Sequence, residues 1–193
     1  MTQHLDNTEF YSGVIETFGF LIDKYNFVVS ATEQEAVEFI KDDMVVEVFR
    51  ESMSFMIYVQ VSCTSVGEVV VLHEILKALV PEKQLTAQCN GRDSVSMLTC
   101  LKQLSQICQQ NLHELLSGDK SAFHKVASSA RKDRHKFTLE CQYGPTRDRA
   151  NVAWDSKEWD AARRLYEECL PVLSTVEKRR LDFLMNGGNR REQ

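Results

Sequence analysis

The sequence predicts an α+β protein in which an N-terminal helix packs on an antiparallel sheet and a mostly helical half follows. Apolar residues recur at helical spacing from Phe10, and short β-branched and aromatic runs separated by polar turns come next. Helical spacing then dominates the rest of the chain. Because 43% of the 193 residues are apolar, the chain can build one or two packed cores.

The first predicted element is a helix over residues 8 to 25. Asn7 or Thr8 can cap its start, and Asn26 can adopt the left-handed conformation that ends a helix. Its apolar stripe consists of Phe10, Tyr11, Val14, Ile15, Phe18, Leu21, Ile22 and Tyr25. One continuous stripe predicts a helix with one buried face.

Four runs rich in β-branched and aromatic residues predict a meander of three or four antiparallel strands. Lys41-Asp42-Asp43 and Glu51-Ser52 are turn sequences between them. In the last run, apolar odd-numbered residues from Phe55 to Val61 alternate with more polar ones, so one side of the sheet is buried, and the first helix is its expected cover. The runs span residues 28–29, 37–40, 45–49 and 55–61.

Helices are predicted after the meander. Ser65-Val66-Gly67-Glu68 has the form of a capping box before an apolar stripe that ends at Pro81, although residues 69–71 also suit a strand. A long helix opens at Asp93 or Ser94 and ends at Gly118. The run Gly118-Asp119-Lys120-Ser121 lacks the first glycine and the preceding strand of a phosphate-binding loop, so it is predicted to join two helices.

A domain boundary is predicted at Gly144-Pro145, after a helix that ends in cations and a short strand over 137–143. The predicted units are an α+β domain over 1–143, a helical hairpin over 146–188 that packs on it, and a frayed tail over 189–193. Within the hairpin, helices are expected over 147–155, 157–170 and 175–186, the last following a capping box from Ser174 to Glu177.

Charge is unevenly distributed along the chain. Residues 1–62 hold eleven acids and three bases, whereas residues 119–193 hold twelve acids and sixteen bases. The charged regions can be two ordinary solvated surfaces, or the acidic front half can attract basic protein partners. The basic back half has no patterned aromatic residues, which argues against nucleic-acid binding.

The cysteines and the N-terminal residues predict a compartment. Six cysteines occur without close spacing, and the first thirty residues have no signal-like apolar stretch. No stretch is apolar enough for a membrane helix. These features predict reduced, mostly buried thiols in a cytoplasmic protein that does not enter a membrane.

One pair of residues is a candidate for catalysis. Cys63 follows a strand and precedes a predicted helix, whose N-terminus would lower the pKa of the thiol, and His73 is a conceivable base. His73 also shares a helical face with apolar residues, which favours a packed histidine. No metal-ligand spacing and no cofactor motif is present, so we expect neither a metal nor a cofactor.

Acidic residues cluster on the predicted sheet and its turns. They can form a surface that binds a basic protein, or they can be edge-strand charges that prevent sheet-to-sheet association, and the sequence leaves both interpretations open. The candidate partner-binding residues are Glu38, Asp42, Asp43, Glu47 and Glu51.

Two resemblances extend these expectations. The order of elements over residues 8–125 resembles small bacterial immunity proteins of polymorphic toxin systems and their uncharacterised relatives. The residues that carry it are Phe18, Leu21, Tyr25, Phe27, Asn111-Leu112, Leu115-Leu116 and Gly118-Asp119. That resemblance implies a non-enzymatic protein that masks a toxin. Ala153-Trp154, Trp159, Ala162 and Tyr166 resemble a single tetratricopeptide-type helix pair.

The first functional hypothesis is therefore a non-catalytic protein-binding module, immunity-like or adaptor-like, that binds a basic partner through the acidic side of its sheet. A small cysteine-dependent hydrolase or transferase that uses Cys63 and His73 is an alternative. A further alternative is a dimeric protein, either similar to the chaperones of type III secretion or a structural subunit that pairs through Trp154 and Trp159.

Overall fold

A computed structural model describes residues 7–33, 35–82 and 87–186, and it confirms the α+β class. The chain divides into two compact units, Met1–Ala130 and Arg131–Gln193. The predicted boundary at 143–146 lies later in the chain than the division between Ala130 and Arg131, and both positions fall inside one long helix.

The first unit opens with two short helices, α1 (Asn7–Phe18) and α2 (Phe20–Tyr25). The prediction of one continuous helix was wrong at Gly19, because the Ile22 amide donates to the Gly19 carbonyl in a tighter turn. Asn26 adopts the left-handed conformation with φ 61° and ends α2 as predicted. Of the predicted stripe, Phe10, Val14, Phe18, Leu21 and Tyr25 are buried, whereas Tyr11 and Ile22 are exposed.

Six strands form one antiparallel sheet with the order β1-β2-β3-β4-β5, and β6 pairs with β4. The predicted meander is confirmed, but it has more strands than the sequence indicated. The strands are β1 (Val28–Glu33), β2 (Ala36–Lys41), β3 (Met44–Arg50), β4 (Met56–Cys63), β5 (Glu68–Val71) and β6 (Cys89–Asn90).

The predicted capping box at Ser65 was wrong. Residues 64–67 form a turn in which the Gly67 amide donates to the Cys63 carbonyl, and Gly67 has φ +69°, a conformation that glycine adopts without strain. The valines that follow pair with β4 as strand β5, and helix α3 begins at Leu72 and ends at Leu79. Branched side chains at Val69 to Val71 favour the strand over the helix.

Helices α4 (Ser94–Asn111) and α5 (His113–Leu116) precede the long helix α6 (Lys120–Asp155). Asp93 caps α4, since its carboxylate accepts from the Ser96 amide at 2.8 Å. The predicted joint between helices is confirmed: Gly118 has φ +93°, and the Asp119 carboxylate accepts from the Ser121 amide at 2.8 Å. The helix expected to reach Gly118 is interrupted at Leu112.

The core of the first unit lies between one face of the sheet and the helices. Along β3 and β4 every second residue is buried, from Met44 to Arg50 and from Ile57 to Cys63. Helix α4 contributes Met97, Leu101 and Leu104 to the same core. Phe55 was expected in this row, but it lies before β4 at φ 56° and is exposed.

Helix α6 continues through residues 137–143 and through Pro145. The predicted strand and chain break were therefore wrong. Proline disfavours a helix interior because it lacks an amide hydrogen and its ring crowds the carbonyl four residues earlier, but local preference does not decide the outcome here.

The second unit also contains α7 (Trp159–Glu168), a 3₁₀ turn over Leu170–Val172 and α8 (Thr175–Met185). The predicted capping box is confirmed, because the Ser174 amide donates to Glu177 at 2.7 Å and the Glu177 amide donates to the Ser174 hydroxyl. The predicted tail 189–193 lies outside the described residues. The core consists of Ala150, Ala153, Ala162, Tyr166, Cys169, Leu173, Leu181 and Leu184.

The cysteines differ from the expected set of reduced thiols. Cys89 of β6 and Cys100 of α4 form a disulfide, with Cα atoms 5.7 Å apart. The remaining cysteines are free; Cys141 is exposed and Cys63, Cys108 and Cys169 are buried. Burial raises the pKa of the Cys108 thiol to about 12, which makes that thiol unreactive.

Candidate functional site

Cys63 and His73 lie on different sides of the sheet. Cys63 is buried on the core side at the end of β4, and its Sγ atom lies 3.3 Å from the Ser65 hydroxyl. His73 is exposed at the start of α3 and lines a pocket with Phe49 and Tyr58, which alternate with the buried residues of their strands. Helix α3 begins at Leu72, so no helix N-terminus follows Cys63 directly. The structure does not bring the proposed thiol and base together.

Asp43 has a structural partner. Its carboxylate lies 2.7 Å from the Lys120 ammonium and accepts a hydrogen bond from the Ser65 hydroxyl, while its carbonyl accepts from the Thr64 amide at 2.8 Å. The hydrogen bond from Lys120, followed by that from Ser65, lowers the pKa of Asp43 to about 2. Asp43 therefore ties the β2–β3 turn to the start of α6.

Asp42 and Glu51 occupy turns at opposite ends of β3. Asp42 is exposed with φ 53°, a conformation that Asp and Asn tolerate better than most residues. Glu51 is exposed and accepts a hydrogen bond from the Ser54 hydroxyl within its own turn. These two acids are accessible to a partner, but the turns account for their presence.

Glu38 and Glu47 are placed differently. They lie directly opposite each other in the register of β2 and β3, on the side of the sheet away from the buried residues. The Gln60 side chain donates to Glu47. In the described ranges, neither carboxylate has a lysine or arginine partner.

The face that carries these two acids is here named the outer sheet face. It comprises three cross-strand rows of half-exposed and exposed residues, and none of them is a lysine or an arginine. The rows are Ala36, Phe49 and Tyr58; Glu38, Glu47, Gln60 and Val71; and Ile40, Val45, Ser62 and Val69. At its margins Val69 is 45% exposed and Val28, which pairs with Ile40, is 62% exposed.

A pocket of about 500 Å³ lies at one end of the outer sheet face. The Phe49 and Tyr58 rings stack with their centroids 5.2 Å apart and 21° between their planes. The other residues that line the pocket are Glu35, Arg50, Glu51, Ser52, Val71, His73 and Gln88.

Sequence reasoning found the two acids but not the apolar and aromatic residues around them. A signal was present, because Val45-Val46 and Val69 to Val71 place apolar side chains on both sides of their strands. Strands that face water on one side usually alternate apolar and polar residues. The departure from alternation could have indicated a binding face.

Trp154 packs on Trp159 at 5.2 Å and on Phe183 at 6.1 Å within the second unit, so both tryptophans have intramolecular contacts. No group of three or more potential metal ligands occurs among the residues that the structure describes. Over the same residues, no helix has the length and apolar character needed to span a bilayer.

Comparisons with protein-family models, curated proteins and solved structures give no match. The geometry of the outer sheet face is therefore the basis for the functional argument.

Proposed function

We propose that the protein is a non-catalytic binding module that uses its outer sheet face to bind a protein partner through basic and apolar side chains. The observation that supports this proposal most strongly is that Glu38 and Glu47 lie opposite each other on a largely apolar face. Among the described residues, no lysine or arginine pairs with either carboxylate. Like charges placed directly opposite each other destabilise a sheet, so an external cation would relieve the repulsion.

The alternative explanation as edge-strand charges does not apply to these two acids. β2 lies between β1 and β3, and β3 lies between β2 and β4, so Glu38 and Glu47 are on interior strands. Charges that prevent sheet-to-sheet pairing act at the edges. A binding role accounts for their position better.

The apolar residues around the acidic pair also favour a binding role. Ile40, Val45, Val69 and Val71 surround the acidic pair on neighbouring rows and strands. Contiguous apolar surface with polar groups inside it is typical of protein interfaces. A basic partner with flanking apolar side chains would match both features.

The resemblance to immunity proteins of bacterial toxin systems stays a prediction, and under it the partner would be a basic toxin. Dimer formation and a cytoplasmic location also stay predictions. The enzyme hypothesis is not pursued, because Cys63 and His73 lie on different sides of the sheet.

Affinity capture with charge-reversed variants tests the proposal. The double variant Glu38→Lys/Glu47→Lys is compared with Glu16→Lys/Asp23→Lys, which changes net charge equally at exposed helical positions. We expect the first variant to lose a discrete basic protein that the wild type and the control retain. Equal retention by both variants, with native circular dichroism, would contradict the proposal.

A further inference from the structure

We infer that the pocket at the end of the outer sheet face accepts the guanidinium group of an arginine side chain from the partner. This inference rests on the proposed function and adds the chemical group that would enter the pocket.

The aromatic pair is suited to a flat cation. Phe49 and Tyr58 stack on each other and are both half-buried at the pocket. The face of an aromatic ring carries partial negative charge, and a planar guanidinium can stack on it while its edges donate hydrogen bonds. An ammonium group has no plane with which to stack.

The charges of the pocket favour a cation over an anion. Glu35 and Glu51 are the carboxylates that line it, and Glu47 is two residues from Phe49 on the same side of β3. Arg50 supplies positive charge, but its side chain is only 4% exposed. The Arg50 guanidinium lies 3.3 Å from Glu35 and 5.4 Å from the Phe10 ring. The charge of the Arg50 guanidinium therefore offsets the charge of Glu35, and the charges of Glu51 and Glu47 remain to attract a cationic ligand.

Acceptors for the entering group remain accessible. Glu51 is exposed, and the Ser54 hydroxyl donates a hydrogen bond to one of its carboxylate oxygens. The Tyr58 side chain is half-buried and lines the pocket. The other oxygen of Glu51 and the Tyr58 hydroxyl can each accept from a guanidinium N–H.

The chain already holds one arginine in this way. Arg50 combines an aromatic face, that of Phe10, with a carboxylate, that of Glu35. A partner arginine in the pocket would have the same kind of surroundings, with Tyr58 or Phe49 as the ring and Glu51 as the carboxylate.

Titration with a pair of small probes tests the inference without the partner. N-acetyl-arginine-methylamide and N-acetyl-citrulline-methylamide have nearly the same shape, but only the first is charged. We expect the arginine probe to shift the NMR signals of Phe49 and Tyr58 saturably, with a Kd of about 1 to 10 mM, the scale of a single side-chain contact. We expect the citrulline probe to leave them unchanged.

Variants assign the effect to the pocket. Glu51→Gln and Tyr58→Leu should each weaken binding of the arginine probe by about 2- to 5-fold. Tyr11→Leu, at an exposed tyrosine on α1, should leave it unchanged. The exposed Glu51 variant keeps the test valid if Tyr58→Leu impairs folding. N-acetyl-lysine-methylamide serves as a third probe, because its ammonium group is charged but not planar. The inference would be overturned if the citrulline probe shifted the NMR signals equally, if the lysine probe bound equally well, or if the arginine probe caused no shift.

The inference and the proposed function can fail separately. If partner capture is lost in Glu38→Lys/Glu47→Lys but the arginine probe does not bind, the binding module stands and the pocket assignment is wrong. If the probe binds at Phe49 and Tyr58 but charge reversal leaves capture intact, the pocket accepts arginine and the proposed function of the outer sheet face is wrong.

Discussion

Glu38 lies directly opposite Glu47 across β2 and β3, in the middle row of the outer sheet face. In an antiparallel pair the Cβ atoms of opposed residues are about 5 Å apart, close enough for like charges to destabilise the sheet. A sequence selected for stability alone would place an opposite charge at one of the two positions. Under the proposed function, a cation from the partner would relieve this repulsion.

This arrangement predicts a gain in stability when one charge is removed. Glu38→Gln should raise the free energy of unfolding by about 0.5 kcal/mol, because the repulsion disappears while the side-chain shape is kept. Urea denaturation at low ionic strength measures it, with Glu16→Gln on α1 as the control. A loss of stability in Glu38→Gln would show that Glu38 has a stabilising role in the sheet.

The ion pair between Asp43 and Lys120 predicts a pH dependence. The pKa of Asp43 is about 2 in the folded protein against an ordinary value of 3.8, so its ionised form stabilises the fold above about pH 4, and that contribution is lost as the pH falls towards 2. Asp43→Asn should lower the Tm at neutral pH. The difference in Tm between this variant and the wild type should shrink as the pH falls from about 4 towards 2.

Asp42→Asn is the matched control for Asp43→Asn. Asp42 is the neighbouring exposed acid in the same turn, and asparagine also tolerates its positive φ. We expect its Tm to follow that of the wild type at every pH. If both variants lose the same stability, the ion pair with Lys120 is not the cause.

The continuous helix α6 predicts that Pro145 weakens the second unit. Pro145→Ala restores an amide that can donate within the helix and should raise the free energy of unfolding by about 1 to 3 kcal/mol. Gly144→Ala should add about 0.5 to 1 kcal/mol, since the atoms nearest to its new Cβ belong to the Glu140 side chain. Thermal denaturation measures both. Destabilisation by both substitutions would indicate a chain break at these residues.

The cysteines give a chemical prediction. In the native protein under non-reducing conditions Cys141 should react with a maleimide, while the free but buried Cys63, Cys108 and Cys169 should react only after denaturation. Cys89 and Cys100 should be protected until a reductant is added. Peptide mass spectrometry of protein alkylated at cell lysis reads out all six positions. Labelling of Cys89 before reduction would show that the pair is reduced in the cell, as a cytoplasmic location predicts.

The sequence predicted elements whose signals are local. The stripe from Phe10 to Tyr25, the Asn26 stop, the hairpin at Asp42 and the caps at Asp93, Asp119 and Ser174 depend on residues a few positions apart. Prediction from the sequence failed where the structure of a segment depends on residues that are distant in the chain. Val69 to Val71 form a strand because β4 is available beside them, and Cys89 meets Cys100 through the pairing of β6 with β4.

The candidate site was predicted in part for the same reason. The acids Glu38 and Glu47 were visible in the sequence, but their direct opposition depends on the register of β2 and β3. The pocket requires Phe49, Tyr58 and His73 from three elements. Cys63 and His73 are ten positions apart in sequence, which gave no indication that the pleat of β4 would separate them.

Site-specific photocrosslinking from the outer sheet face tests the central claim most directly. A benzophenone amino acid is placed at Val69, which is 45% exposed on this face, and for comparison at Val95, which is 76% exposed on α4. Irradiation in the native cells should join a discrete protein to the Val69 variant, with a basic residue near the crosslinked peptide, and not to the Val95 variant. Equal crosslinking from both positions, or crosslinking from Val95 alone, would contradict binding through the outer sheet face.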